Sequence, residues 1–135
     1  MKVLLTGSNG LLGQKLVEAL RVDPAMELLA TSRGPDRSAA PLGPKYLPLD
    51  ITDASAVDAV FDAFSPEVVI HTAAMTNVDA CELDPAACTL QNVTATKNLL
   101  SAAIRHDSHF IFLSTDFIFD GKAGPYKEDD VPAPL

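Results

Sequence analysis

The 135-residue chain is 47% hydrophobic, enough to bury the core of one domain, and carries a formal net charge of −8 with a pI near 4.6. The acidic balance, and the lack of any Lys/Arg cluster beyond "TSRGPDR", argue against nucleic acid or a membrane surface as partner. No apolar run approaches the roughly 18 residues of a spanning helix, and a single Lys before Val3–Leu5 does not read as a signal peptide, so a cytoplasmic protein is expected.

Taken in order, "KVLLT" is a short continuous apolar run of the kind that forms a strand buried on both faces. Leu12, Leu16 and Leu20 then recur at helical spacing, and "ELLAT" (Glu27–Thr31) reads as a second strand. The segment "SRGPDRSAAPLGP" has room for a helical turn but is too short for a domain linker. "KYLPLD" is a weak third strand that Pro48 demotes toward an edge. Thr52 or Asp53 is the expected N-cap of a helix whose face is Val57, Val60, Phe61 and Phe64.

"EVVIHTAA" is a fourth strand and "NVDACELD" a short helix. Pro85 opens a longer helix to about Arg105, with Leu90, Val93, Lys97, Leu100 and Ile104 in step. "HFIFLS" is a fifth strand, and after Asp116 the period is lost. Cys81 and Cys88, seven apart without a CxxC pair, are expected to be reduced thiols. Strands alternating with helices predict an α/β fold, a Rossmann-like doubly wound parallel sheet that stops after about the fifth strand. Residues 1–115 form its nucleotide-binding domain and 116–135 a trailing loop.

Between the first strand and the first helix stand Gly7, Gly10 and Gly13. A helix N-terminus presents unpaired N–H groups and a positive dipole end, so a Gly-punctuated turn there suits a phosphate. Gly13 in the first helical turn lets helix and strand pack closely. The spacing is G-x-x-G-x-x-G, and by itself it also fits a tight βα turn with no ligand.

"TGSNGLLG" resembles the TGxxGxxG turn of the extended short-chain dehydrogenase/reductases. "LDITD", "HTAA" and "NVTATKNLL" resemble further segments of that family in the same order. "FLSTDFIFDG" and "AAMTNVDACE" resemble its dTDP-4-dehydrorhamnose reductase branch. The resemblance implies a dinucleotide across the strand ends. Gly7, Gly10, Leu11, Leu12 and Gly13 would meet the pyrophosphate, and Asp50 and Ile51 the adenine. Ala73, Ala74 and Thr76 would lie along a ribose. For Asp50 the competing reading is a turn cap, and for the two alanines it is core packing.

The second strand ends in Ser32 and Arg33 with no acid at its tip, and Asp36 lies several residues on. An acid there favours a ribose 2′-hydroxyl and a basic residue a 2′-phosphate, so NADP(H) is the preferred cofactor and NAD(H) a second possibility. Thr115 aligns with the family's catalytic Ser/Thr, and Thr115 and Asp116 would face a nucleotide-sugar substrate. The competing reading makes the pair a turn cap. His71 is read as a packed strand-end residue, and Asp79 with Glu82 as a solvated helix start with no metal.

The family's hydride chemistry uses a Tyr and a Lys four residues later. Four residues after Tyr46 stands Asp50, and after Tyr126 stands Asp130, so no such pair occurs in this sequence. The expectation is the cofactor-binding portion of a longer NADPH-dependent reductase of a nucleotide-linked 4-keto-6-deoxy sugar, inactive alone and with an open sheet edge that favours self-association. Two other readings stay open. One is a non-catalytic dinucleotide-binding subunit resembling the regulatory subunit of methionine adenosyltransferase. The other is a sugar-nucleotide epimerase or dehydratase.

Overall fold

The computed structural model describes residues 1–39 and 45–134, the side chain of Asp116 excepted. Five strands form one all-parallel sheet: β1 (Lys2–Thr6), β2 (Glu27–Ser32), β3 (Tyr46–Pro48), β4 (Val68–His71) and β5 (His109–Phe112), in the order β3-β2-β1-β4-β5. Pro48 lies in the edge strand β3, which among the described residues pairs only with β2. At the opposite edge β5 pairs only with β4 among the described residues, leaving Ile111, Phe112 and Leu113 exposed. Of the stretch between β2 and β3 that had room for a helical turn, residues 33–39 form no helix, and residues 40–44 lie outside the described residues.

The two-residue period of β1 divides the core. Leu4 faces one side of the sheet, where it meets Val57, Val60 and Phe61 of α2 (Ala54–Phe64) and Leu99 of α5 (Ala95–Arg105). Val3 and Leu5 face the other side, against Val17 of α1 (Leu11–Leu20) and Leu28 and Ala30 of β2. Helices therefore cover both faces, as a parallel sheet requires. Asp53 is the N-cap of α2, its carboxylate accepting from the Ser55 and Ala56 N–H groups at 2.9 and 3.1 Å.

Between β4 and α5 come the short helices α3 (Val78–Leu83) and α4 (Pro85–Thr89), then a widened π-turn over Leu90–Thr94. Here the structure corrects two expectations. Leu90, Val93, Leu100 and Ile104 mark the helix but not its buried face, which is Ala95, Leu99, Ala102 and Ala103. Three small residues beside Leu99 let the helix lie close to the sheet, while Leu90, Val93, Leu100 and Ile104 are exposed. The cysteines are not free thiols. The chain reverses at Asp84–Pro85 and brings Cys81 and Cys88 to a Cα separation of 5.1 Å, where they form a disulfide.

Candidate functional site

In this strand order the chain leaves β1 and β4 in opposite directions across the sheet, and a crevice opens beyond their C-terminal ends. A cavity of about 410 Å³ occupies that place. Gly7 and Gly10 form one wall, Thr31, Ser32, Arg33 and Arg37 a second, Thr72 through Met75 a third, and Leu49 and Ile51 lie beneath the adenine end expected from sequence.

The turn after β1 is fixed by the polypeptide itself. Gly7 has φ +76°, and a side-chain carbon there would stand 2.5 Å from the Ala73 amide nitrogen. A carbon on Gly13 would stand 2.2 Å from the Gly7 carbonyl oxygen. Gly10 is different: its carbon would meet only the Gly7 oxygen, at 3.3 Å, and it is exposed at the N-cap of α1. Two of the three glycines thus serve packing, and Gly10 leaves its face of the turn open to a ligand.

Seven of the residues singled out from sequence line this one cavity: Gly7, Gly10, Ser32, Arg33, Ile51, Ala73 and Ala74. Leu11 and Leu12 lie outside its lining, in the first turn of α1, with exposed side chains, and Gly13 is buried behind the turn. Asp50 is exposed and accepts from the Thr52 N–H and hydroxyl at 2.9 and 2.7 Å. Those two bonds, the backbone one foremost, hold its pKa below the usual carboxylate value despite partial desolvation, and the Arg33 charge adds to them. Asp50 thus caps the turn after β3. Thr76 and Thr115 are exposed and do not line the cavity, and Asp116 begins a short 3-10 turn (Asp116–Ile118) after β5. Asp79 and Glu82 are exposed on α3, and the described residues contain no cluster of three or more metal-ligating side chains.

His71 is the most deeply buried titratable group of the site region, 2% exposed. Its Nδ1 lies 2.7 Å from the Thr6 hydroxyl and its Nε2 3.0 Å from the Thr96 hydroxyl. Thr96 donates its own proton to the Asn92 carbonyl at 2.6 Å, so it accepts from His71, which fixes the Nε2–H tautomer. Nδ1 then accepts from Thr6. Burial lowers the His71 pKa from 6.5 to about 4. The ring is a neutral bolt joining the ends of β1 and β4 to Thr96 at the start of α5, which in turn bonds Asn92 in the π-turn. From that turn the Asn92 amide grips both backbone groups of Met75, accepting from its N–H at 2.7 Å and donating to its carbonyl at 3.0 Å, and so sets the third wall of the cavity.

Sequence reasoning missed Asn9, Arg37, Thr72, Met75 and Gln91, which also line the cavity. Arg37 had a legible signal, a second Arg four residues after Arg33 in the same loop. Gln91 had none, because only the path of the chain between β4 and α5 brings it back to the site.

Residues 1–135 match the protein family described as the RmlD substrate binding domain. A dTDP-4-dehydrorhamnose reductase of Aggregatibacter actinomycetemcomitans is 38% identical over 99% of this chain and 42% of its own length. The methionine adenosyltransferase 2 subunit beta of Xenopus tropicalis is 35% identical over 99% of this chain and 38% of its own length. Among solved structures, dTDP-4-dehydrorhamnose reductase from Bacillus anthracis in complex with NADP superposes with TM-score 0.78 at 28% identity, over 98% of this chain and 43% of that one. The Thermus thermophilus UDP-glucose 4-epimerase complex with NAD gives TM-score 0.84 at 27% identity, over 99% of this chain and 45% of that one. The chain thus spans about two fifths of the length of the curated relatives it matches.

Proposed function

The chain belongs to the RmlD substrate binding domain family, and from that premise we propose that it is the dinucleotide-binding part of an NADPH-dependent reductase acting on a nucleotide-linked 4-keto-6-deoxy sugar. The observation that carries this reading is the single cavity that gathers Gly7, Gly10, Ser32, Arg33, Ile51, Ala73 and Ala74 at the strand ends.

In this reading the pyrophosphate lies against the turn at Gly10, where N–H groups at the start of α1 face it and no side chain intervenes. Ile51 packs on the adenine, and Ala73 and Ala74 leave room for a ribose. Arg33 pairs with the 2′-phosphate, which favours NADP(H), while NAD(H) remains a second cofactor. The cofactor supplies the hydride. Thr115 polarises the substrate carbonyl through a hydrogen bond, with Asp116 beside the sugar. Thr115 is exposed in the segment after β5 and stands outside the cavity lining, and in this reading both residues act in the complete enzyme.

The test is NADPH oxidation, followed at its nicotinamide absorbance, when the complete protein meets a dTDP-linked 4-keto-6-deoxy sugar. Turnover that Thr115→Val lowers by about a hundredfold supports the assignment, in line with the usual contribution of a positioned oxyanion donor. Tight dinucleotide binding without turnover of the sugar favours the second reading, a non-catalytic dinucleotide-binding subunit, which the similarity to the methionine adenosyltransferase subunit motivates.

A further inference from the structure

The glycine turn and the β2 loop belong to different parts of the chain, yet one side chain ties them together. Asn9 sits in the turn, between Gly7 and Gly10. Its Oδ1 accepts from the Arg37 N–H at 3.0 Å, and its Nδ2 donates to the Pro35 carbonyl at 3.0 Å. Its second Nδ2 hydrogen points to the Tyr46 hydroxyl at 3.4 Å. That hydroxyl donates to the Gly34 carbonyl at 2.7 Å and has the Ser32 carbonyl within reach at 3.3 Å. Backbone groups from Ser32 to Arg37 are therefore held from below by β3 and from the side by the turn. Held this way, the loop places two guanidinium-bearing residues, Arg33 and Arg37, on the wall of the same cavity. The one carboxylate within the loop, Asp36, accepts from the Ser38 N–H and hydroxyl at 2.9 and 2.6 Å and is not among the residues lining the cavity.

We propose that Asn9 is a positioning residue for dinucleotide selectivity: it folds residues 33–37 over the cavity so that Arg37 joins Arg33 on a phosphomonoester carried by the adenosine ribose. This rests on the dinucleotide reading of the site. Two guanidinium groups suit a dianionic phosphate, which takes paired N–H donors from each, and they gain far less from a ribose that bears only a neutral hydroxyl. Asn9 thereby couples the pyrophosphate turn to the 2′-phosphate loop without touching the 2′-phosphate itself.

Titration of the protein and its variants with NADPH and NADH, and with adenosine 2′,5′-bisphosphate against 5′-AMP, tests this. Arg37 is exposed, so Arg37→Ala keeps the fold. It is expected to weaken NADPH about tenfold and to leave NADH unchanged, as loss of one charged hydrogen-bonding group would. Asn9→Ala is expected to lower the NADPH-to-NADH affinity ratio by a similar factor. The double variant is expected to be no worse than Arg37→Ala alone, because both changes remove one contact. An Asn9→Ala protein that loses NADPH and NADH equally has lost only structure, and overturns the proposal. So does Arg37→Ala with an unchanged ratio. Failure of the unsubstituted protein to bind either dinucleotide overturns the site reading itself, and the inference with it.

Discussion

Gly7 leaves no room for a side chain on Gly13: a carbon there would lie 2.2 Å from the Gly7 carbonyl oxygen. Helix α1 therefore starts directly against the turn that ends β1. Gly13→Ala forces backbone apart and is expected to cost on the order of 3 kcal/mol. Gly10→Ala meets the same oxygen at 3.3 Å and is expected to cost about 1 kcal/mol or less as an N-cap change. In binding the order reverses in kind: Gly10→Ala stays folded but loses about tenfold or more in dinucleotide affinity, because its methyl stands where the pyrophosphate would approach. Thermal melts and titrations of the two variants check the contrast. Equal melting temperatures would contradict it.

His71 makes stability depend on acidity. Its folded pKa, about 4, lies below the ordinary 6.5, so the unfolded chain binds the extra proton between those values. The stabilisation is complete above about pH 6.5 and is lost as the pH falls toward 4, up to an amount on the order of 3 kcal/mol. Denaturant melts at pH 7, 5.5 and 4.5 are expected to show this decline. His71→Gln is expected to be less stable at pH 7 but to show a flatter slope. An unchanged slope would mean that another group carries the acid sensitivity.

The Cys81–Cys88 bridge closes a loop over a sequence separation of seven residues, which in the chain-entropy account is worth about 2 kcal/mol. Cys88→Ser, or treatment with a dithiol, is expected to lower the melting temperature by roughly 5 °C or more. The Asn92 amide that grips Met75 also lies 3.4 Å from the Cys88 sulfur, so the loss is expected to weaken dinucleotide binding as well. Identical melts with and without reductant would contradict this.

Local chemistry made much of the fold legible. The continuous apolar run "KVLLT" marked a strand with a core on both faces, Pro48 marked the edge strand, and Asp53, one of two expected caps, starts α2 through its own two hydrogen bonds. The glycine spacing located the cavity because the turn's demands are local. What stayed hidden depends on distant packing. The buried face of α5 was missed because three alanines and Leu99, not Leu100 and Ile104, meet the core. The disulfide needed the reversal at Asp84–Pro85, which carries no signature in cysteine spacing. Asn9 carried no signal in the sequence because the loop it holds stands 26 to 28 residues on. For Asp50 the turn-cap reading was local and legible: one carboxylate oxygen is engaged by Thr52, a contact that any Asp two residues before a Thr can make.

The account turns on whether the cavity at the ends of β1 and β4 holds a dinucleotide. Calorimetric titration of the protein with NADPH, and separately with NADH, tests that most directly. The account predicts saturable binding of one dinucleotide per chain, tighter for NADPH. The absence of saturable binding by both would contradict it.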